Sequence, residues 1–315
     1  MPKPDYPKTI LEFAAQFHND DVCLQYLIQT RRPEGFVCPT CHHMGGWWLG
    51  THRRFECAQC HKQVSPLAGT LLHRTHLPIH RWFWAAYLVA THPPGISAVQ
   101  LQRQLGIAKN DTAWFLLHRL RQGMVNADRR PLSGLIEADE THVGGPAKGK
   151  KGRGVREGKN KTLIGGAVET VIVTTKNGAV KKKAGRLRLQ VLCAASEDEI
   201  GTFIRANVAP GSTIKSDGWK GYSATALAGY HHQREIQGSP QRGHELAPQI
   251  HQAFSNLKAW LMGIHHGVEP KYLQSYLNEF VFRFNRRVYP MSAFRSLLEI
   301  LTSKQPLTLR TLKKP

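Results

Sequence analysis

The chain has 315 residues, enough for two or three domains, and 41% of them are hydrophobic, which is typical of a globular protein. Lysine and arginine number 43 against 22 acidic residues, giving a formal net charge of +21. This excess predicts a polyanionic partner, most often nucleic acid, although charge alone does not separate a DNA enzyme from a ribosomal or other RNA-binding protein. Because no apolar run of about 18 residues and no secretory pattern are present, we expect a cytoplasmic, nucleoid-associated protein without a membrane segment.

Residues 1–30 are predicted to form a helical segment, and residues 31–70 a zinc ribbon. The second region contains two C-x-x-C pairs with 15 residues between them. Two such pairs supply the four thiolates that tetrahedral zinc requires, and four unrelated thiols are the alternative. The predicted ligands of this structural Zn²⁺ are Cys38, Cys41, Cys57 and Cys60. A site closed by four cysteines has no open coordination position, so we expect a role in folding.

Residues 71–130 are predicted to be helical, with a helix-turn-helix near their end. Ser97 is suited to cap the first helix, Gly106 lies in the turn, and Asp111 is suited to cap the second helix. If the second helix enters a major groove, its Arg121 is a DNA contact. An ordinary helical hairpin has the same sequence pattern and is the alternative.

A strand pattern begins at about residue 131, and a basic, glycine-rich loop follows the first strand. The loop has no apolar periodicity, which is typical of a phosphate contact or of a solvated linker. The residues of this loop that we predict to contact DNA are Lys148, Lys150, Lys151 and Arg153.

Three strands, a helix, a strand and further helices follow one another over residues 131–290. This order predicts an α/β fold, a ribonuclease-H-like catalytic domain with a mixed five-stranded sheet. The ends of its first and fourth strands are neighbours, and they carry Asp139 and Asp217. Two adjacent carboxylates repel each other unless a cation lies between them, so they predict a Mg²⁺ or Mn²⁺ site suited to phosphodiester chemistry. The alternative is that both are turn residues, since Asp-Gly is a common turn signal.

Four motifs resemble the DDE-type transposases of bacterial insertion sequences: EADETHVGG, IKSDGWKGY, SNLKAWLMGIHHG and YLNEFVFRFNRR. With the opening PEGFVCPTC, the chain is similar over nearly its whole length to the branch with a zinc ribbon and an ISXO-type transposase domain. The resemblance implies a ribonuclease-H-like domain with three metal-binding residues. It also implies an enzyme that binds the terminal inverted repeats of its element, cleaves there and joins the 3′ ends to target DNA.

The resemblance further implies the catalytic residues Asp139, Asp217 and position 251, with Lys258 following on the same helix. His251 stands where many members have glutamate. Imidazole binds Mn²⁺ or Fe²⁺ well and Mg²⁺ less readily, and it also acts as a general base. Whether His251 binds metal, acts as a base or marks reduced activity stays open. Seven residues along a helix leave His251 and Lys258 about 20° from alignment, so Lys258 is expected to face DNA.

A last predicted helix carries three arginines as candidate phosphate contacts, with a solvated basic face as the alternative: Arg283, Arg286 and Arg287. Residues 291–315 are predicted to be a basic C-terminal tail. Binding of two element ends predicts a homo-oligomer on double-stranded DNA. Two other functions remain open: a DNA-binding regulator that has lost cleavage, and a metal-dependent nuclease without strand transfer.

Overall fold

The computed structural model describes residues 7–125, 129–144, 161–175, 177–234 and 247–313. The chain divides into two compact units, one of residues 1–126 with 286–315 and the other of residues 127–285. None of the described helices combines the length and the apolar character needed to span a bilayer.

The first unit combines a small sheet with helices. Its elements from the N-terminal part of the chain are α1 (Ile10–Gln16), α2 (Asp20–Arg31), β1 (Gly46–Leu49), β2 (Arg54–Cys57), β3 (Gln63–Val64), α3 (Ile79–Thr91), α4 (Ala98–Gln104) and α5 (Asn110–Gly123). The three strands form an antiparallel sheet in the order β1-β2-β3. Thr9 and Asn19 accept backbone N–H groups at the starts of α1 and α2, which explains where these helices begin.

Helices α4 and α5 form the predicted helical hairpin. Ser97 caps α4 in a capping box with Gln100, and Gly106 takes a φ of +58° in the turn, both as expected. Asp111, however, lies within the first turn of α5 instead of capping it.

Arg121 corrects the prediction of a DNA contact on α5. Its side chain is only 1% exposed, because α5 packs in the interior of the first unit beside α3 and a C-terminal helix. The positions 114, 117, 118 and 121 form one stripe at helical spacing, and the stripe faces the core instead of solvent. The burial of this face of α5 therefore favours the alternative of an ordinary helical hairpin over a DNA-recognition helix that uses Arg121.

The second unit contains the larger sheet. Its elements are β4 (Leu135–Val143), β5 (Thr162–Thr174), β6 (Val180–Leu192), α6 (Glu197–Asn207), β7 (Thr213–Ser216), β8 (His231–Arg234), α7 (Pro248–His265) and α8 (Pro270–Asn285). The sheet order is β6-β5-β4-β7-β8, antiparallel among the first three and parallel from β4 through β7 to β8. This is the mixed five-stranded sheet of the ribonuclease-H-like fold, as predicted.

Apolar residues cover both faces of the sheet. Helices α7 and α8 bury one face with residues that include Phe254 and Leu257 against Ile164, and α6 buries the other. Each fully buried side chain of this size stabilises the fold by about 1.5–3 kcal/mol. Gly166 on β5 permits the close approach of α7, since a Cβ there would lie 2.7 Å from the Phe254 ring.

Two further helices follow, α9 (Pro290–Ser303) and α10 (Leu309–Lys313), so the described residues from 291 to 313 are not the basic tail that was predicted. The apolar positions of α9 recur at helical spacing and are buried in the first unit. Phe294 contacts the rings of Phe13, Phe17 and Phe83, and the Leu71 N–H donates to the carbonyl of Leu301 at 3.1 Å.

Candidate active site

The sheet brings Asp139 and Asp217 to the same edge. Strands β4 and β7 are parallel with Glu137 opposite Lys215, and each aspartate lies two residues beyond this pair. Asp217 also makes a turn, since its Oδ1 accepts the Trp219 N–H at 3.0 Å. Burial is the largest cause that raises the pKa of Asp139, and the charge of Asp217 raises it further. The two acids are therefore electrostatic neighbours.

Helix α7 adds His251 and Lys258 to these acids. The Nδ1 of His251 lies 3.5 Å from the Oδ2 of Asp139, and about a quarter of each side chain or less is exposed. Both His251 and Lys258 act to lower the pKa of Asp139, against the effect of burial. All four residues predicted as catalytic thus contribute to one cluster.

The cluster is more open than a preformed metal cage. Among the described residues, only the four ribbon cysteines place ligand atoms all within 4.8 Å of one another. Asp139, Asp217 and His251 do not meet that limit together. Two carboxylates and an imidazole are nevertheless ligand types that Mn²⁺ accepts, and like charges that repel are expected to close up only around a cation.

Glu137 fixes the position of α7 and was not identified as a site residue from the sequence. Its carboxylate is buried and accepts the N–H groups of Gln249 at 2.8 Å and Ile250 at 3.1 Å, with the Thr170 hydroxyl at 3.1 Å. A carboxylate here accepts N–H groups that would otherwise be unpaired, and its negative charge interacts favourably with the positive N-terminal end of the helix dipole. One signal was available: Ala247, at the N-cap, has no capping side chain of its own.

Glu140 is a second acid that the sequence reading left aside. Its Oε1 accepts the hydroxyl of the buried Tyr222 at 2.5 Å. Burial, followed by the charges of Asp139 and Asp217, raises the pKa of Glu140 to about 7 even though the Tyr222 hydrogen bond lowers it. Glu140 points to the face of the sheet opposite Asp139, as alternation along a strand requires, and still responds to both aspartates.

A groove of about 1050 Å³ lies beside the cluster. Lys161 and Lys258 contribute cations to its wall, and Glu140 contributes an acid. Met262 on the same wall is 62% exposed. Lys258 therefore faces the open space of the groove.

The predicted DNA contacts outside the cluster have different outcomes. Lys148, Lys150, Lys151 and Arg153 lie outside the described residues. Arg283 corrects the prediction, because its side chain is only 12% exposed, lies 3.8 Å from the buried Glu279 and stacks over Trp260. Arg287 is exposed and Arg286 is partly exposed, so both stay candidates for DNA contact.

The four predicted zinc ligands converge in the ribbon. Sγ atoms are 3.6 Å apart for Cys38 and Cys60 and 3.5 Å apart for Cys41 and Cys57. A tetrahedron with Zn–S bonds of about 2.3 Å has edges of about 3.8 Å, so this cluster fits a zinc ion with little adjustment. The backbone N–H of Cys41 is the largest cause that lowers the pKa of Cys38 to about 6, which favours the thiolate there. At Cys41 the His43 N–H also lowers the pKa, but burial and the neighbouring sulfurs outweigh it and raise that pKa to about 12, so the four thiols do not ionise alike.

The two cysteine pairs form equivalent turns. The N–H of His42 donates to the carbonyl of Cys38, and the N–H of His61 donates to that of Cys57. Both histidines have a positive φ, +58° and +55°. The backbone of His42 and His61 therefore closes the turns that position the thiolates. Neither histidine side chain belongs to the cluster, which consists of the four cysteines.

Two protein-family models match the chain. Residues 131–285 match the ISXO2-like transposase domain, and residues 18–63 match the transposase zinc-ribbon domain. Together they account for most of the chain.

A curated relative gives a weaker match of the same kind. The chain is similar to an uncharacterized protein in the transposable element ISH50 of Halobacterium salinarum, with 26% identity over 128 residues. The match covers 40% of this chain and 42% of that protein, so it spans less than half of either.

Proposed function

The chain belongs to the insertion-sequence transposases that combine a zinc ribbon with an ISXO2-like transposase domain, and from this we propose that it carries out the full transposition reaction. It binds the terminal inverted repeats of its element as double-stranded DNA, cleaves at the ends and transfers the 3′ ends to target DNA. This action takes place on nucleoid DNA.

The observation that carries this proposal is the meeting of Asp139, Asp217 and His251 at one sheet edge, with Lys258 on the wall of the adjoining groove. Asp139, Asp217 and His251 would hold Mg²⁺ or Mn²⁺, which when bound activates an attacking oxygen and stabilises the leaving oxygen of a phosphodiester.

The chain's own groups position the DNA and the ligands. Lys258 offers a point charge to a backbone phosphate in the groove. Glu137 holds the start of α7, and thereby the distance from His251 to Asp139. Tyr222 fixes the carboxylate of Glu140 by a hydrogen bond, beside the two aspartates.

DNA recognition is shared between the two units in this proposal. The cysteine cluster supports a structural Zn²⁺ that folds the ribbon, which contacts the element's ends. Arg286, Arg287 and the basic sequence around Lys148 add phosphate contacts, so binding should weaken steeply with salt. Bringing two ends together requires a homo-oligomer.

One observation favours a second function. His251 in place of a carboxylate reduces the negative charge of the metal site, which is what a regulator that binds DNA without cleaving it would tolerate. A nuclease without strand transfer uses the same cluster and differs only in its products.

One assay separates these functions. The protein is incubated with labelled terminal-repeat duplex, unlabelled target DNA and Mg²⁺ or Mn²⁺, and products are separated by size. Joined products support transposition, cleaved ends without joining support the nuclease, and a shifted but intact duplex supports the regulator. Asp139→Asn should abolish both cleavage and joining while binding persists; an active Asp139→Asn protein would overturn the assignment of the site.

A further inference from the structure

Strands β5 and β6 continue beyond the rest of the sheet as a two-stranded ribbon. The pairing of β4 with β5 reaches only to Ile136 opposite Glu169, whereas β5 and β6 remain paired to Thr174 opposite Val180. The Thr175 N–H donates to the Ala179 carbonyl at 2.9 Å and closes the end. We name the described part of residues 171–183 the β-arm. Its strands extend about 13 Å at about 3.3 Å per residue.

The surface of the β-arm is apolar and cationic together. Val171, Ile172 and Val180 are 40%, 68% and 68% exposed. The three consecutive residues Lys181–Lys183 are also exposed, and the sequence from 170 to 183 contains no aspartate or glutamate. Neither the cations nor the apolar groups are used by the active-site cluster.

Cross-strand pairing distributes the lysines over both faces of the β-arm. Lys183 is opposite Val171 on one face, and Lys182 is opposite Ile172 on the other. Directly opposed residues of an antiparallel pair point to the same side. The β-arm is therefore positive on both faces, with Lys181 and Lys183 on the Val171 face and Lys182 on the Ile172 face.

The root of the β-arm is held firmly. The guanidinium of Arg186 forms an ion pair with Glu169, with Nε 2.9 Å from Oε2, and the Arg186 N–H donates to the same oxygen at 3.1 Å. Arg186 also donates to the carbonyls of Arg130 and Pro131. These bonds fix the direction in which the ribbon leaves the sheet.

We propose that the β-arm is a duplex-DNA contact, in which Lys181 and Lys183 bind backbone phosphates and Val171, on the same face, lies against the groove. A B-DNA major groove is about 12 Å wide and admits a two-stranded ribbon. Asp139 is opposite Gly166, six residues before Ile172 on β5, so this contact lies about 20 Å along the sheet from the acids. It rests on the proposed DNA substrate but not on cleavage.

The test compares binding of the full-length protein and the double variant Lys181→Ala/Lys183→Ala to a random-sequence DNA duplex of several helical turns. Fluorescence anisotropy is measured between about 50 and 200 mM salt, without added divalent metal. We expect the affinity to fall roughly ten- to fifty-fold near 0.1 M salt, and the slope of log affinity against log salt to decrease by about 2. Lys181→Arg/Lys183→Arg, which keeps both charges, should retain affinity and slope.

Unchanged affinity and slope in a folded double-alanine variant, confirmed by unaltered thermal unfolding, would overturn the proposal. If the variant then also sediments as a smaller assembly, the β-arm is a contact between subunits. Because no divalent metal is added, a protein that binds through the β-arm but never cleaves would sink transposition and leave this inference intact. If instead the wild-type protein transposes and the double variant binds DNA unchanged, transposition is supported and the β-arm contact is overturned.

Discussion

An imidazole and a carboxylate differ in charge and in the cations they prefer, and in the proposed metal site that difference falls at His251. With its Nδ1 3.5 Å from the Oδ2 of Asp139, the His251 ring would complete a ligand set of two carboxylates in the proposed site. Such a set has one negative charge fewer than three carboxylates and therefore holds Mg²⁺ less tightly, whereas Mn²⁺ accepts nitrogen ligands more readily.

Substitution of His251 tests this role. We expect His251→Glu to keep cleavage activity and to shift its preference towards Mg²⁺, because glutamate restores an oxygen ligand. His251→Ala should lose about ten- to a hundred-fold in rate with either metal. The measurement is the single-turnover cleavage rate of terminal-repeat DNA in Mg²⁺ and in Mn²⁺. Wild-type rates for both variants would return His251 to a role outside the chemistry.

Glu169 provides a test of electrostatics away from the active site. Burial opposes its ionisation, but the Arg186 ion pair and two backbone N–H bonds outweigh burial and lower the pKa of Glu169. A carboxyl with a depressed pKa stabilises the folded state above its unfolded pKa of about 4.3, and this stabilisation is lost as the pH falls through the folded value.

We therefore expect Glu169→Gln to reduce the free energy of unfolding at pH 7 by about 1–3 kcal/mol, a range that allows for the exposure of Arg186. The difference from wild type should shrink as the pH falls below the unfolded pKa of about 4.3, and it should be lost once the pH is below the depressed pKa of folded Glu169, where that carboxyl is protonated. Urea unfolding at several pH values measures it. A difference that stays constant with pH would mean that packing, and not charge, stabilises this site.

At the scale of elements, the contact of Glu137 with the start of α7 positions the helix that carries two of the proposed site residues. Glu137 replaces the missing cap of this helix, and two turns of α7 carry both His251 and Lys258. Because Glu137 on β4 binds the start of α7, it sets the distance between His251 on the helix and Asp139 on the strand. The helix and strand propensities of the two segments do not specify this distance.

Glu137→Ala should leave two buried N–H groups without their acceptor, at a cost of about 1–3 kcal/mol. We expect its cleavage rate to fall while DNA binding persists, with Glu137→Gln intermediate because an amide oxygen still accepts. Asp198→Asn, in the exposed first turn of α6, is the matched control and should behave as wild type. Equal rates for Glu137→Ala and the control would remove Glu137 from the positioning of α7.

The ribbon is the element whose fold we expect to depend on bound zinc. Cys38→Ser should lose bound zinc and the protease resistance of residues 31–70, because the three short strands bury few apolar side chains. Cys193→Ser, which alters an exposed cysteine outside the cluster, should retain both. Metal analysis by mass spectrometry with limited proteolysis checks the pair; zinc retained at full occupancy in Cys38→Ser would contradict the four-cysteine site.

The elements also show what the sequence could specify. Strand alternation and order predict the sheet, and the sheet brings Asp139 beside Asp217 without further information. Spacing on α7 likewise predicts that His251 and Lys258 share a face. The burial of Arg121 and the role of Glu137 depend instead on residues far along the chain, in α9 and α7 respectively. A local sequence pattern does not show that such distant residues are in contact.

At the scale of the whole molecule, the first unit is built from both ends of the chain. Its N-terminal helices meet α9, whose Phe294 is fully buried among the aromatic rings of Phe13, Phe17 and Phe83. The second unit is inserted between these two parts. The first unit can therefore complete its core only after the second has been synthesised. The sequence patterns divide the chain into five consecutive regions ending in a tail, and such a division cannot predict a unit formed from both ends.

Phe294→Ala tests this dependence in the intact chain. Removing a fully buried aromatic ring should destabilise the first unit by about 3–5 kcal/mol. Hydrogen exchange should then speed up in α2 and α3 while amides of β4 and β5 keep their protection, because the second unit has a core of its own. Tyr289→Ala, at a position that is 72% exposed, is the control and should leave both units protected. Loss of protection in β4 and β5 as well would mean that the two units unfold as one, and unchanged exchange in α3 would mean that α9 is dispensable to the core it fills.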